Sequence, residues 1–184
     1  HKISDASGDL GVSIGTIAKQ DNFGISLANM GDFDGNGITD LAVGAYKDGD
    51  ADKNSGAIYL LSLQTDGTVN SFFKIDASEA TLGEPSLNND HFAVAMAAAG
   101  DVDGNGMPDL LVGQWKNDDY KKNAGAAWMV FLESPDSVLM AQKISGETVG
   151  FQAGSGTGIS GNDRFGKGIS TLGDLQGICV NAIM

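Results

Sequence analysis

The chain has 184 residues and a formal net charge of −13, with 24 acidic residues against 11 basic ones. This acidity disfavours nucleic acid or an anionic membrane surface as a partner, and no apolar run approaches the roughly 18 residues that cross a bilayer. The 27 glycines and 3 prolines suit many tight turns between short strands, and the single cysteine excludes an internal disulfide framework.

The first predicted element is a strand near the start of the chain. A Lys-Ile pair at residues 2–3 recurs at residues 74–75 and 143–144, each time at the end of a repeated unit. We therefore expect residues 1–20 to hold the closing strand of a preceding unit and a connection. Since the chain opens at His1 without an initiator Met, we also expect a processed or trimmed product.

Two repeated units follow. Residues 21–63 align without a gap on residues 90–132, with about 20 identities in 43 positions. Each copy runs from an apolar stretch through an acidic loop to a hydrophobic run, a charged connection and another apolar run. The elements are short, β-rich and bounded by Gly, Asn and Asp. Residues 21–89 and 90–162 therefore each predict four antiparallel strands.

Each unit contains one acidic loop, which reads DFDGNGITD at residues 32–40 and DVDGNGMPD at residues 101–109. Oxygen-bearing side chains stand at its first, third, fifth and ninth positions, and the seventh residue would present its backbone carbonyl. Such a curled loop can supply the roughly 6 to 8 oxygen ligands of Ca²⁺, and its glycines allow the positive φ angles required. We predict two Ca²⁺ sites, with ligands Asp32, Asp34, Asn36, Ile38 and Asp40 in the first loop and Asp101, Asp103, Asn105, Met107 and Asp109 in the second.

A plain polar turn is the alternative for these loops, because Asn-Gly between apolar runs is itself a hairpin signal. Three carboxylates within nine residues weigh against it, since like charges this close repel one another unless a cation compensates them. The recurrence of the loop weighs against it further. An EF-hand would need a Glu at the twelfth loop position, where this chain has Val43 and Val112 in apolar runs.

The third repeat, residues 163–184, begins as DRFGKGISTLGD and continues LQGICVNAIM. Asp174 keeps the first acidic position, but Gln176 replaces the second. We therefore expect no calcium in this repeat and a strand over residues 178–184. The predicted fold is all-β, with two complete four-stranded units and partial units at both ends. Four-stranded units that repeat about every 70 residues suggest the radially packed blades of a β-propeller.

The chain resembles the FG-GAP repeat of integrin α-subunit propellers and related extracellular proteins. The first copy carries the pattern at Phe23-Gly24, residues 32–40, Gly44-Ala45 and Gly56 to Tyr59; the second keeps Phe92, residues 101–109, Gly113 and Gly125 but has Ala93 and Gln114-Trp115. The resemblance implies a seven-bladed propeller with calcium in the loop that joins the first two strands of a blade.

Two blades leave sheet faces and strand edges open, and unpaired edges recruit other chains. In one reading, copies pair head-to-tail through their incomplete ends into a ring or fibre. In the other, the chain is a fragment of a larger integrin-like propeller that binds protein or carbohydrate ligands, or the non-catalytic propeller of a hydrolase or lyase. We predict a non-enzymatic, calcium-binding structural or adhesion protein, extracellular or at the cell surface, without nucleic-acid binding or membrane insertion.

The inventory of catalytic residues is thin. His91 is expected at the surface, Cys179 as a buried hydrophobe, and Ser155 in a flexible Gly-rich connection without the motif of a nucleophile or phosphate loop. Four aromatic residues match between the two units, Tyr46 with Trp115 and Tyr59 with Trp128. Matched positions predict packing between units more than a platform for sugars.

Overall fold

The structure is a computed structural model, and it describes residues 3, 17–83, 89–148, 158–173 and 182–183. This part of the chain is all-β apart from one four-residue helix. The elements in chain order are β1 (Leu27–Gly31), β2 (Asp40–Ala45), β3 (Ala57–Leu63), β4 (Val69–Asp76), α1 (Glu79–Leu82), β5 (Phe92–Gly100), β6 (Asp109–Gln114), β7 (Ala126–Ser134), β8 (Ser137–Ile144), β9 (Thr171–Gly173) and β10 (Ala182–Ile183).

Strands β1 to β4 form one four-stranded sheet and strands β5 to β8 a second, each with neighbours in chain order and all pairs antiparallel. The two sheets share their register: Val43 pairs with Tyr59 in the first, and Val112 pairs with Trp128 at the matching place in the second. The prediction of two four-stranded antiparallel units is therefore confirmed.

The burial of each strand follows from its sequence. The third strand of each sheet is a nearly continuous apolar run, AIYLLSL in β3 and AAWMVFLES in β7, and both are buried along most of their length. Such runs fit strands that are covered on both faces of the sheet. Strand β1 instead alternates between exposed and buried residues, and the outermost strand β8 is mostly half-exposed.

The main core lies between the two sheets. Alternate residues of β2 and β3, including Ala42, Ile58 and Leu60, pack with Val112, Trp128 and Val130 of the second sheet. The residues that point the other way form two further clusters. Val43, Tyr59 and Leu61 pack with Ile3, Ile17 and Phe23, whereas Leu111, Ala127 and Met129 pack with Phe165 and Ile169. Each sheet thus has apolar contacts on both faces.

The connection between successive units repeats in detail. The amide of Phe92 donates to the Ser55 carbonyl at 2.8 Å, and the amide of Phe165 donates to the Ala124 carbonyl at the same distance. Gly56 and Gly125 lie against these two Phe residues so closely that a Cβ at either glycine would overlap Phe backbone. The start of the third repeat therefore contacts the second sheet as the second sheet contacts the first.

Several predictions concern parts of the chain that the structure describes only in part. The strand expected at residues 178–184 is represented by β10, which pairs antiparallel with β9. Ser155, Asp174, Gln176 and Cys179 lie outside the described residues, as do most of residues 1–20. Within the described ranges, no helix has the length and apolar character needed to cross a membrane.

Candidate metal centre

The two acidic loops occupy equivalent places in the fold. The first joins β1 to β2 and the second joins β5 to β6, at the end of each sheet where the second strand begins. Each loop brings three carboxylates together. Oxygen atoms of Asp32, Asp34 and Asp40 lie within 4.8 Å of one another, and so do those of Asp101, Asp103 and Asp109.

The last acid of each loop is a buried anchor. Asp40 opens β2 with no exposed surface, and it accepts hydrogen bonds from the amides of Phe33 at 3.1 Å and Leu63 at 2.8 Å. Asp109 does the same in β6 with the amides of Val102 at 2.8 Å and Leu132 at 3.1 Å. Burial raises the pKa of both carboxyls above the ordinary value, against the effect of these amides.

The first acid of each loop accepts a hydrogen bond from a glycine amide later in the same loop. Asp32 accepts the amide of Gly37 at 2.8 Å, and Asp101 accepts the amide of Gly106 at 2.9 Å. Gly37 and Gly106 have φ angles of 85° and 93°, which an L-residue adopts only with strain. These hydrogen bonds and φ angles of the chain itself therefore favour the curled conformation of the loop.

The asparagine at the fifth position links each loop by a hydrogen bond to the third strand of its sheet. The side-chain amide of Asn36 donates to the Leu63 carbonyl at 3.0 Å, and that of Asn105 donates to the Leu132 carbonyl at 2.7 Å. The same amide groups also donate to Asp34 and Asp103, at 3.0 and 3.1 Å. The acid at the third loop position is thereby held next to the third strand of its sheet.

The two loops differ at one contact. In the first sheet the hydroxyl of Ser62 donates to Asp34, and this hydrogen bond lowers the pKa of that carboxyl. The matching position of the second sheet is Phe131, which has no hydroxyl to donate. Asp103 therefore lacks this neighbour.

The seventh residues, Ile38 and Met107, were predicted to offer backbone carbonyls. The amide of each donates to the preceding asparagine side chain at 2.7 Å, and the Met107 side chain packs against the core between the sheets. The orientation of their carbonyls as ligands stays a prediction.

The chemistry of these donors fits a hard cation. Every side chain that converges in the two loops offers oxygen, and hard divalent ions such as Ca²⁺ bind oxygen ligands at distances of about 2.3 to 2.6 Å. Each trio of carboxylates carries mutual repulsion that a cation would offset. The residues present therefore suit a calcium ion in each loop, and the ion itself stays a prediction.

His91 is not at the surface as predicted. It is buried with 6% of its surface exposed, between the rings of Tyr46 at 4.9 Å and Trp115 at 5.6 Å between centroids. Burial, together with Lys116 and Lys47, lowers its pKa to about 4. The prediction failed because nothing local in the sequence shows that residues 46, 91 and 115, from two different units, meet.

Sequence reasoning also missed a polar network at the other end of the first sheet. Tyr59 donates to the buried Asp48 at 2.9 Å, and Lys74 lies 2.9 Å from Asp48 and 2.6 Å from Asp50. In the second sheet Trp128 donates instead to Gln114 at 2.7 Å, while Lys143 pairs with Asp119 at 2.6 Å. The matched Lys residues near the end of each unit were the available signal. Tyr59 and Trp128 are both fully buried, as expected of packing residues.

Comparison with known proteins supports the resemblance deduced from the motifs. The FG-GAP repeat family model matches residues 23–61. Integrin alpha pat-2 of Caenorhabditis briggsae is 42% identical over 97 residues, which are 52% of this chain and 7% of that protein. Integrin alpha-5 of Xenopus laevis is 34% identical over 92 residues, 50% of this chain and 8% of that protein.

A third relative, integrin alpha-7 of Mus musculus, is 38% identical over 91 residues, 50% of this chain and 7% of that protein. The chain thus spans less than a tenth of the length of these relatives. The predicted resemblance to the FG-GAP repeats of integrin α subunits is confirmed.

Proposed function

We propose that this chain, with its FG-GAP repeat, is a non-enzymatic binding module whose propeller-like blades are stabilised by calcium. Two Ca²⁺ ions would occupy the acidic loops, one per four-stranded sheet. The partners would be other protein surfaces, including copies of the chain itself, in an extracellular or cell-surface setting. The integrin alpha names of the relatives support the setting and the type of module.

The observation that carries the calcium proposal is the convergence of three carboxylates in each loop, with oxygens within 4.8 Å. The sequence separates Asp32 from Asp40 by a turn rich in glycine, yet the fold brings their oxygens together twice, in the same way. Binding an ion here would stabilise the folded chain by mass action, by about 2.7 kcal/mol per site at a hundredfold excess over the dissociation constant.

Calcium titration and thermal melting test this proposal. We expect calorimetric titration to give two ions per chain, and millimolar Ca²⁺ to raise the melting temperature by several degrees over the value in chelator. Asp103→Asn should leave one ion per chain. The matched control is Asp136→Asn, at an exposed position of the β7–β8 turn, which should keep two. An unchanged melting temperature in chelator would remove calcium from the proposal.

The blade-like arrangement is supported by the way the faces repeat. The face of the second sheet that contacts the first uses Met96, Leu110 and Val112. The same pattern on the outward face of the first sheet gives Leu27, Leu41 and Val43. Leu27 is 59% exposed, whereas Met96 at the matching position is 7% exposed. A further unit would cover the part of this face around Leu27, beside the part that Ile3, Ile17 and Phe23 already contact.

Such a unit could come from another copy of the chain. The outward face of the second sheet, with Leu111 and Met129, has the pattern of the face that the first sheet presents to the second. Head-to-tail stacking of copies would therefore repeat an interface that already exists within the chain, and heterologous stacking gives rings or open fibres. In the alternative proposal, the chain belongs to a longer integrin-like propeller whose own units cover these faces and which binds protein or carbohydrate ligands.

The non-enzymatic part of the proposal is supported by the environment of His91. Its ring is held between two aromatic rings, and its lowered pKa keeps it neutral at physiological pH. A buried neutral imidazole in this packing suits a structural role better than that of a base that exchanges protons with a substrate. A non-catalytic propeller attached to a hydrolase or lyase would be equally consistent with this environment.

A further inference from the structure

Arg164 is the single arginine of the chain, and it occupies a special position. It stands at the start of the third repeat, where the first and second units have Asn22 and His91, and all three residues have positive φ angles between 57° and 60°. Its side chain is exposed, and its guanidinium carbon lies 5.0 Å from the centre of the Trp115 ring. A guanidinium stacked on an indole is held in place while its N–H groups stay available.

Two lysines surround the same ring. The amino groups of Lys116 and Lys167 lie 5.1 and 5.8 Å from the centre of Trp115, and Lys47 lies 5.4 Å from the centre of Tyr46. We call Arg164, Lys116 and Lys167 on Trp115 the cationic cluster. Within the described ranges, none of its three cations forms an ion pair, in contrast to Lys74 and Lys143.

The base of the cluster is rigid. Trp115 packs against His91, which packs in turn against Tyr46, so residues of three successive repeats support one another. The indole nitrogen of Trp115 and the amide nitrogen of the buried Gln114 have no hydrogen-bond partner among the described residues. Both nitrogens are buried, so the groups that an approaching acceptor can reach are the guanidinium and the two amino groups of the cluster.

Three acids of the second and third repeats already have other partners. The Asp163 carboxylate accepts the Ser160 amide at 2.6 Å, Asp119 pairs with Lys143, and Asp118 accepts the Asn123 amide. The cluster is a small positive site on a molecule of charge −13. A long polyanion, such as a nucleic acid or a sulfated polysaccharide, would extend beyond the cluster and be repelled by that charge. A short acidic segment, with one carboxylate on Arg164, would not extend as far.

We propose that the cationic cluster is a docking site for a side-chain carboxylate in an acidic segment of a partner protein, received by the planar fork of Arg164. Arginine and carboxylate pair with two parallel hydrogen bonds, and stacking on Trp115 fixes the plane of the fork. This inference rests on the proposed function of a protein-binding module and names the chemistry of its partner.

A peptide titration tests the proposal with the full chain. The probe is a capped hexaglutamate peptide, the control peptide is capped hexaglutamine, and the signal is the NMR resonance of the Trp115 indole N–H, assigned with Trp115→Phe. We expect saturable shifts with hexaglutamate alone, weakened at high salt because the cluster is at the surface. Arg164→Gln should weaken binding at least about fivefold, and Arg164→Lys should weaken it less, because the charge stays and the fork is lost. Lys167→Gln should weaken it also.

Lys53→Gln is the matched control and should bind as the unmodified chain does, because Lys53 carries the same charge outside the cluster. If Arg164→Gln and Lys167→Gln bind hexaglutamate as tightly as the unmodified chain does, the inference is overturned. Equal binding of hexaglutamate and hexaglutamine by the unmodified chain would overturn it too. Binding of heparin in preference to hexaglutamate would overturn it in favour of a polysaccharide. Calcium should raise the melting temperature of Arg164→Gln as much as that of the unmodified chain. If calcium raises the melting temperature of neither protein, the result contradicts the proposed function and not the docking site.

Discussion

At the scale of single residues, the buried carboxylates of this chain have different surroundings. Asp40 and Asp109 each accept two backbone amides at the base of an acidic loop. Asp90 is also buried, with 7% of its surface exposed, but the contact that reaches it from the described side chains is a long one, from the Asn117 amide at 3.5 Å. Burial, with Asp119 and Asp118 nearby, raises the pKa of Asp90 to about 7.

This shift makes the stability of the chain depend on pH. The pKa of Asp90 in the folded state lies above the ordinary value of 3.8, so the folded chain holds a proton that the unfolded chain releases. The free energy of unfolding should therefore fall as the pH rises from about 4 to about 7. Asp90→Asn removes this titration, and we expect it to stabilise the chain at pH 8 by at least about 1 kcal/mol relative to its effect at pH 4.

Urea unfolding at pH 4 and pH 8 measures the free energy of unfolding of the unmodified chain and of Asp90→Asn. Asp136→Asn is the control, since Asp136 is exposed on the β7–β8 turn, and it should not change the pH profile. A profile for Asp90→Asn that runs parallel to that of the unmodified chain would show that Asp90 is not the titrating group.

At the scale of elements, the sheets approach one another through glycine. The Gly44 carbonyl of β2 accepts the Gly24 amide at 2.9 Å, and the Gly44 amide donates to the Ser26 carbonyl at 2.9 Å. A Cβ at Gly44 would overlap the Ser26 hydroxyl and the Ala93 carbonyl, and one at Gly113 would overlap the Gly166 carbonyl. The same strand position in both sheets is thus closed to any side chain, because the next repeat lies against it.

Gly44→Ala should therefore destabilise the chain, by about 2 kcal/mol, because backbone has to move to admit the methyl group. The measurement is the free energy of unfolding in urea. The control is Gly49→Ala in the β2–β3 connection, where an added Cβ would lie 3.7 Å from its nearest neighbour, an ordinary contact. That variant should change stability by no more than about 0.5 kcal/mol. Equal effects of the two substitutions would contradict the close approach of the repeats.

At the scale of the whole molecule, two sheets stack face to face and each outward face repeats the pattern of an inward one. The exposed Leu27 on β1 marks the outward face of the first sheet. If copies of the chain stack through this face, Leu27→Glu should shift them towards monomers, because an unpaired charge would enter the interface. The same substitution should leave the melting temperature of the monomer nearly unchanged, since the side chain is already in water.

Sedimentation velocity over a range of protein concentrations measures this effect. Leu139 on the outermost strand β8 is 50% exposed and lines a groove with Phe73 and Ile75 of β4, between the two sheets rather than on an outward face. Leu139→Glu is therefore the matched control and should associate as the unmodified chain does. A chain that stays monomeric at all concentrations would contradict stacking of copies and favour the longer-propeller alternative.

The all-β fold, the two four-stranded units and the acidic loops were predictable from the sequence by itself. Each depends on a short-range pattern: Asp32 to Asp40 span nine positions, and the strands are short apolar runs between turn residues. A single copy of the acidic loop could equally be a plain polar turn, and the repetition of both patterns weighs against that alternative. The FG-GAP motif followed from the same residues.

Only the tertiary structure decided which residues of different units meet. His91 was expected at the surface, yet it is buried between Tyr46 and Trp115, and Arg164 reaches Trp115 from the third repeat. The sequence pattern specifies which way a side chain points from its own strand, since that period is local. It does not specify what the neighbouring repeat places opposite, because the distance between units is set by close contacts of backbone at Gly44 and Gly113.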